Sequence, residues 1–447
     1  IVGTFDSEHL ELPIEVLTTY MKKHQRYFPM LKEDGTPIAK FITISNGSEG
    51  NPSVIRQGNE RVLRSRLEDA TFYYKEDRKS TLADKANQLK NVIFQVKLGS
   101  LHEKSKRLQK VANSIVEQLD DISLNEKKCI QRTAELCKAD LTTQMVIGFP
   151  SLQGTMGKYY ALASGESNDI ALAIEQHYRP ISSEGSLPES RIGMIVSIAD
   201  KMDTIVGYFG IDERPTSSQD PYSLRRQAIG ILRILQYYQL PIDLHSVIDQ
   251  SVASYLDNEI EFAEDTKVAV ANFLKGRFQV LLQDQGFAHD EVNSTLSVLD
   301  TKHKFDVSDV EKRAQLIQAF RKRDDFDQVY SSLNRVLRIL PNQSFSVASQ
   351  QIKSQLFQEE AEHKLGNLYL GFSKKMADLN EKGQYDKLLN NLAELAPAID
   401  HFFDQVLIMT DDPEIKANRL ALLSEIADYV YAICDLRELV IAPKSSS

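Results

Sequence analysis

Apolar residues in this chain recur at helical spacing over most of its length, and at strand spacing only near its beginning. The runs RYFPML (26–31) and AKFITIS (39–45) are short and rich in aromatic and β-branched residues, with a turn signal at Asp34-Gly35 between them. They predict a pair of strands. LPIEVLTTYMKKHQ before them predicts a helix with Pro13 in its first turn. The chain turns helical again at VLRSRLEDATFYYKEDRK (62–79), completing a small α+β unit.

Beyond about residue 80 the spacing is almost entirely helical. Leu101, Leu108, Val111 and Ile115 share a helix face. Ser123 or Asn125 is placed to cap the next helix, expected to run on through AELCKADLTTQMV (134–146) with Leu136, Leu141, Met145 and Val146 as its apolar stripe. FPSLQGTMG and SSEGSLPES read as breaks. Asp220-Pro221 predicts a further helix, LRRQAIGILRILQYY, with an acidic N-cap and proline at its first position. Acid-rich helices follow over 241–330. PNQSFS (341–346) reads as a joint, and the last hundred residues as amphipathic helices ending in a polar tail, APKSSS.

Composition narrows the class. With 447 residues, 42% hydrophobic and 26% charged, the chain has the balance of a globular protein of about three domains. No apolar run approaches the ~18 residues of a membrane-crossing helix, and 192–209 is cut by Asp200, Lys201 and Asp203. Cys129, Cys137 and Cys434 lack metal-ligand spacing and cannot all pair. With no signal peptide evident, a reducing, cytoplasmic location is expected. The net charge of −10 argues against indiscriminate nucleic-acid binding but leaves room for basic faces. Lys97, Lys104, Lys106, Arg107 and Lys110 face one acid, Glu103, within 97–110, and 311–338 holds seven basic residues against four acids. Either run can equally be a solvated helix face.

Two acids interrupt apolar helical stretches, Asp140 in CKADLTTQMV and Asp200 in IVSIADKMDTIVG, and His177 lies between them in EQHYRP. Carboxylate, histidine and carboxylate on helices, with His102 as a fourth candidate, is the ligand chemistry of a metal-dependent phosphohydrolase. The His-Asp dipeptide that would present two ligands from one turn is absent: Ala139 precedes Asp140, and Lys138 brings an ammonium that would repel a metal. Gly154-Thr-Met-Gly157 with Lys158 reads either as a close-approach site for a nucleic-acid backbone or as a plain turn. Arg225, Arg226 and Arg233 are candidates for phosphates or for acids. The sequence holds no P-loop, Gly-x-Ser-x-Gly, zinc knuckle or dinucleotide fingerprint.

KKHQRYFPM, GNERVLRSRLEDATFYYKEDRK, CKADLTTQMV, FPSLQGTMGKYYA, IEQHYRP, ADKMDTIVGYFGI and PTSSQDPYSLRRQAIGILRIL together resemble the β subunit of bacterial glycyl-tRNA synthetase. FFDQVLIMTDDPEIKANRLALLSEI, with DLREL after it, is similar to that family's helical anticodon-binding domain. The resemblance implies that an N-terminal portion would precede Ile1. It also implies that the middle domain has the HD-phosphohydrolase fold with a decayed metal site around Asp140, His177, Asp200 and Lys201. Catalysis would lie on a separate α subunit using ATP and Mg²⁺, with no cofactor on this chain. The partners implied are that α subunit, in an α2β2 assembly, and tRNA(Gly), with no membrane.

The expected protein is therefore mainly α and multidomain: an α+β unit (1–80), a helical linker (81–122), a degenerate HD-like domain (123–240), a helical connector (241–330) and an anticodon-binding helical domain (331–447). Its expected role is tRNA recognition for a glycine–tRNA ligase, with Lys158, Arg225, Arg226, Arg233, Arg335 and Arg338 as tRNA-contact candidates. An HD-type nucleotide phosphohydrolase is the alternative, and a helical scaffold without nucleic-acid function is a further one.

Overall fold

The computed structural model describes residues 1–46, 51–257, 260–300, 304–340 and 352–441. The expected joint at 341–346 and the tail at 442–447 lie outside them. The chain forms two compact units, Ile1–Ile234 with Ser246–Val270, and Leu235–His245 with Ala271–Ser447.

The first unit opens with a three-stranded antiparallel sheet, β1 (Val2–Thr4), β2 (Phe28–Leu31) and β3 (Pro37–Ile42), in the order β1-β3-β2. Val2 and Phe28 both pair with Ile42. Between β1 and β2 lie α1 (Ile14–Thr19) and a π-helical turn over Tyr20–Gln25. Helix α2 (Pro52–Asp77) starts ten residues before the apolar pattern suggested, because Asn51 caps it from its side chain and Pro52 fits its first position. Then come α3 (Leu82–Gln88) and a short hairpin of β4 (Ile93–Gln95) and β5 (Gly99–Ser100).

Helix α4 (Leu101–Val116) follows, within the stretch expected as a helical linker. Leu101, Leu108, Val111, Ala112 and Ile115 are buried, and α4 packs on α5 (Leu124–Leu136) and on α9 (Arg191–Gly210). It is part of the core, since a helix with so continuous an apolar face cannot stay in water. Ser123 caps α5 through a capping box with Glu126. That helix ends at Leu136, so Asp140 is not on it. Asp140 sits in a 3₁₀ turn, Ala139–Thr142, before α6 (Gln144–Gly148), α7 (Thr155–Ala163) and α8 (Asn168–Gln176).

Helix α9 occupies the centre of this unit. Every residue from Ile192 to Gly210 is buried, with α4, α5 and α8 packed around it. A helix enclosed on all sides must find internal partners for every polar side chain it carries. That requirement shapes the site.

Helices α10 (Leu224–Tyr238), α11 (Leu244–Leu256) and α12 (Thr266–Asp284) each run from one unit's residues into the other's, so the expected connector at 241–330 is divided between the two. Asp220, expected as the N-cap of α10, lies ahead of that position and accepts from the amides of Leu224 (2.8 Å) and Arg225 (3.0 Å). The helix nevertheless begins three residues after Pro221, because Ser223 takes a left-handed conformation (φ 55°). The second unit continues through α13 (His289–Leu296), α14 (Val307–Phe320), α15 (Phe326–Ile339), α16 (Glu360–Glu381), α17 (Tyr385–Gln405) and α18 (Pro413–Tyr431). Helices α15 to α18 share one apolar core. A buried ion pair fixes α16 to α18: Arg419 donates to Glu362 at 2.6 and 2.9 Å, and Glu362 also accepts the amides of Gln358 and Glu359.

No helix among the described residues is long and apolar enough to cross a membrane. All three cysteines are free and buried.

Candidate functional site

A cleft of about 620 Å³ opens beside the middle of α9. Asp200 and Lys201 reach it from α9, Lys104 from α4, and Lys138 from the turn after α5. Tyr178 borders it beside His177, and Tyr208, Tyr222 and Arg226 form more of the wall.

The geometry bears on the metal question. Lys138 Nζ donates to Asp200 Oδ2 at 2.7 Å and to His177 Nε2 at 2.9 Å. His177 Nδ1 lies 2.6 Å from the carbonyl of Ile174. A carbonyl only accepts, so Nδ1 carries the proton and Nε2 presents its lone pair to the ammonium. Burial, then the Lys138 charge, pushes the His177 pKa well below its usual value, keeping the ring neutral. Lys138 thus takes the lone pair and the carboxylate that a dication would need. Among the described residues no group of three or more His, Cys, Asp or Glu could hold a metal. The donor set does not fit one.

Asp140, expected in the same pocket, has another task. Its Oδ2 accepts the amides of Gly154 (2.6 Å) and Gly157 (3.1 Å) at the start of α7. The Gly-Thr-Met-Gly turn is therefore filled by the protein's own carboxylate, and a Cβ on Gly157 would stand 3.1 Å from Asp140 Oδ2. Burial raises the Asp140 pKa to about 6, against the lowering effect of these amides and of Lys138. His102 is half-buried and absent from the cleft wall; α4 sends Lys104 there instead.

Sequence reasoning treated Lys104 and Arg107 as a basic run, and the structure buries both. Lys104 Nζ donates to Asp203 Oδ2 (2.8 Å) and Thr204 Oγ1 (2.9 Å). It also stands 3.1 Å from Asp200 Oδ1, within ion-pair range but without hydrogen-bond alignment. Arg107 Nε donates to Asp203 Oδ1 at 2.7 Å and its Nη2 to Tyr255 Oη at 3.2 Å, while the Tyr255 hydroxyl donates to the Asp203 carbonyl at 2.9 Å. Burial alone would raise the Asp200 pKa, but the Lys138 and Lys104 ammoniums outweigh it and hold the carboxyl far below the usual range. Lys201 Nζ bonds to the carbonyls of His177 (3.3 Å) and Arg179 (2.9 Å) and to Ser197 Oγ (2.7 Å). Burial lowers its pKa to about 7, with Asp200 opposing and the two lysines reinforcing the shift.

Most of the expected tRNA-contact cations are engaged within the protein. Lys158 pairs with Glu175 at 2.9 Å, Arg225 donates to the Thr216 carbonyl, and Arg233 to the carbonyls of Ser183 (2.6 Å) and Gly185 (3.0 Å). Arg335 pairs with Asp404 (3.0 Å) and Asp400 (3.6 Å) and lies over the Phe403 ring. These acids come from α17, not from the neighbouring DDFD run. Arg226 and Arg338 are exposed.

Comparison with known proteins gives this arrangement a lineage. The family model described as glycyl-tRNA synthetase beta subunit matches residues 1–297. The chain belongs to that family. A second model, the DALR anticodon binding domain, matches residues 329–436, the segment that carries α15 to α18. Glycine–tRNA ligase beta subunits from Colwellia psychrerythraea and Clostridioides difficile are 39% and 40% identical over 439 residues, which is 98% of this chain. That from Gloeothece citriformis is 36% identical over 457. The chain spans about 62% of the length of the first two relatives.

Proposed function

We propose that this chain is a tRNA-recognition part of a glycine–tRNA ligase β subunit. In this reading an α subunit carries out ATP- and Mg²⁺-dependent activation of glycine and its transfer to tRNA(Gly), in a cytoplasmic α2β2 assembly. One observation carries the reading: a single chain matches the β-subunit model over 1–297 and an anticodon-binding model over 329–436. The cleft supports the same division of labour. Its acid, histidine and lysine are locked to one another, and such a set neither binds a dication nor activates water. The phosphohydrolase alternative finds no support in this donor set.

The test is glycylation of tRNA(Gly) by an added α subunit, with and without this chain, followed by separation of charged from uncharged tRNA. Charging is expected to depend on the chain. The purified chain alone is expected to show no glycine-dependent ATP–pyrophosphate exchange. Exchange by the chain alone, or charging equally fast in its absence, would overturn the proposal.

A further inference from the structure

Helix α2 segregates its charge along its length. Residues 52–66 carry four arginines, Arg56, Arg61, Arg64 and Arg66, against one acid, Glu60, whereas 67–77 carry four acids and one lysine. The first stretch is strongly cationic in a chain of net charge −10. All four arginines are exposed, and none makes a hydrogen bond or ion pair among the described residues. The one acid is committed elsewhere: Glu60 Oε1 accepts the amide (2.8 Å) and the hydroxyl (3.1 Å) of Thr4 on β1. Other partly exposed arginines of the first unit do hold acids, Arg132 with Glu135 and Glu166, Arg191 with Asp121, and Arg214 with Asp265. Like charges one turn apart, as at Arg61 and Arg64, cost a helix stability, and no contact within the described residues offsets that cost here.

The placement is ordered. Gln57, Arg61 and Arg64 are spaced i, i+4, i+7 and share one face, and Leu63, Leu67 and Ala70 occupy another, buried one. Arg56 lies eight residues before Arg64, about 12 Å along the axis. Guanidinium forks match phosphate oxygens. The stripe has no aromatic ring on which an unpaired base could stack; the exposed ring of Phe72 lies further on, beyond Glu68 and Asp69. Forks and an amide without a stacking platform suit the sugar-phosphate backbone of paired RNA, which is recognised through charge, shape and 2′-hydroxyls.

We propose that Arg56, Gln57, Arg61 and Arg64 dock the phosphate backbone of a base-paired RNA stem. This contact rests on the tRNA-recognition reading and adds to it a sequence-indifferent surface on the first unit, outside the segment matched by the anticodon-binding model. Phosphate contacts position an RNA without reading it, so the stripe orients the molecule whose anticodon another segment discriminates.

The test is RNA binding by the intact chain across a salt series, with three probes: tRNA(Gly), the same tRNA with an altered anticodon, and an RNA hairpin of unrelated sequence. Arg61→Ala with Arg64→Ala should weaken all three by a similar factor, on the order of tenfold, and reduce the slope of log affinity against log salt by about two. The ratio of affinities for the cognate and altered tRNAs should stay as in the parent. Arg61→Lys with Arg64→Lys should keep most of the slope, because an ammonium still neutralises a phosphate. Both arginines are exposed, so the unfolding transitions of these variants should match the parent's. If the parent binds and prefers the cognate tRNA while the alanine variant keeps its affinity and slope, this proposal alone is overturned. A parent that binds none of the three RNAs overturns it together with the tRNA-recognition reading. A changed cognate-to-altered ratio in the alanine variant would place these arginines at the anticodon and overturn the assignment to a paired stem. Weaker association with an α subunit at unchanged RNA affinity would make the stripe a protein-docking face, and would overturn it as well.

Discussion

Lys138 holds one positive charge between a neutral imidazole and a buried carboxylate, and its substitution has consequences that can be read separately. Lys138→Met removes one of two ammoniums from Asp200. Leaving a buried charge unpaired costs roughly 3–5 kcal/mol. Lys104 remains 3.1 Å from Asp200, so the expected loss in urea unfolding is smaller, about 2–3 kcal/mol. The sign of the pH effect follows from linkage. Asp200 is held below its usual pKa, so its contribution is full above the unfolded value and is lost as pH falls through the folded one. Without Lys138 the folded value rises, and acid unfolding should begin at higher pH. Elemental analysis should find no stoichiometric metal in the parent protein; manganese or zinc that disappears in Asp200→Ala would revive the hydrolase. Asp140 has the opposite sign. Its pKa is raised from 3.8 to about 6, so the folded state keeps a proton that the unfolded chain gives up. The contribution of Asp140 to stability should therefore decline as pH rises from about 4 to about 6. Asp140→Asn keeps an oxygen to accept the amides of Gly154 and Gly157, and the pH slope of the melting temperature across that window should lose the Asp140 contribution and become more positive. A slope equal to the parent's would mean that Asp140 titrates normally.

Helix α9 explains which parts of the site the sequence disclosed. Asp200 and His177 were legible, because a carboxylate in a wholly apolar run, or a histidine near one, is locally anomalous. Lys138 was legible only as a misfit, since its role depends on two groups 39 and 62 residues away. Lys104 and Arg107 were missed because burial of a cation is decided by partners on another helix, here Asp203 some hundred residues on. A signal existed: opposite charges at i, i+3 in two apolar helices, Lys104/Arg107 and Asp200/Asp203, match as facing stripes. The run from 134 to 146 was misread as one helix for a related reason. The pull of Asp140 toward the α7 amides ends the helix, and no local periodicity shows it. The mainly helical class and the cap at Ser123 were legible, being set by neighbours within a turn. Close approach of α9 to α11 gives an element-scale prediction within the first unit. A Cβ on Gly207 would meet the Tyr255 hydroxyl at 2.3 Å and its Cζ at 2.8 Å, and Tyr255 is bound to Asp203 and Arg107. Gly207→Ala should destabilise by about 1–3 kcal/mol through overpacking, whereas Gly276→Ala, with nothing within 4 Å, should not. Equal stabilities in chemical denaturation would show that Tyr255 can move aside.

For the molecule as a whole, an acidic chain that binds a polyanion must do so through local cations, and the structure sorts those it has. Arg335 and Arg338 stand three apart on α15, and an equal share in tRNA contact was the simple expectation. Arg335 is held by Asp404, Asp400 and the Phe403 ring, so recruiting it to a phosphate would require breaking those contacts. Arg338 is exposed near the end of the same helix, inside the segment matched by the anticodon-binding model. The two should therefore behave differently. Each phosphate neutralised on an unpaired loop adds about 0.7 to the slope of log affinity against log salt. Arg338→Ala should lower tRNA(Gly) affinity and reduce that slope by about one such increment, with unfolding unchanged. Arg335→Ala should leave the slope in place and cost up to about 1 kcal/mol of stability, the range of partly exposed ion pairs. The measurement is a salt series of tRNA binding by the intact chain, repeated with a tRNA whose anticodon has been altered. The altered tRNA should bind more weakly at every salt concentration, because base contacts discriminate where phosphate contacts only position. If Arg338→Ala leaves affinity and slope untouched and the altered anticodon binds as well as the cognate one, the helices from α15 to α18 do not read the anticodon.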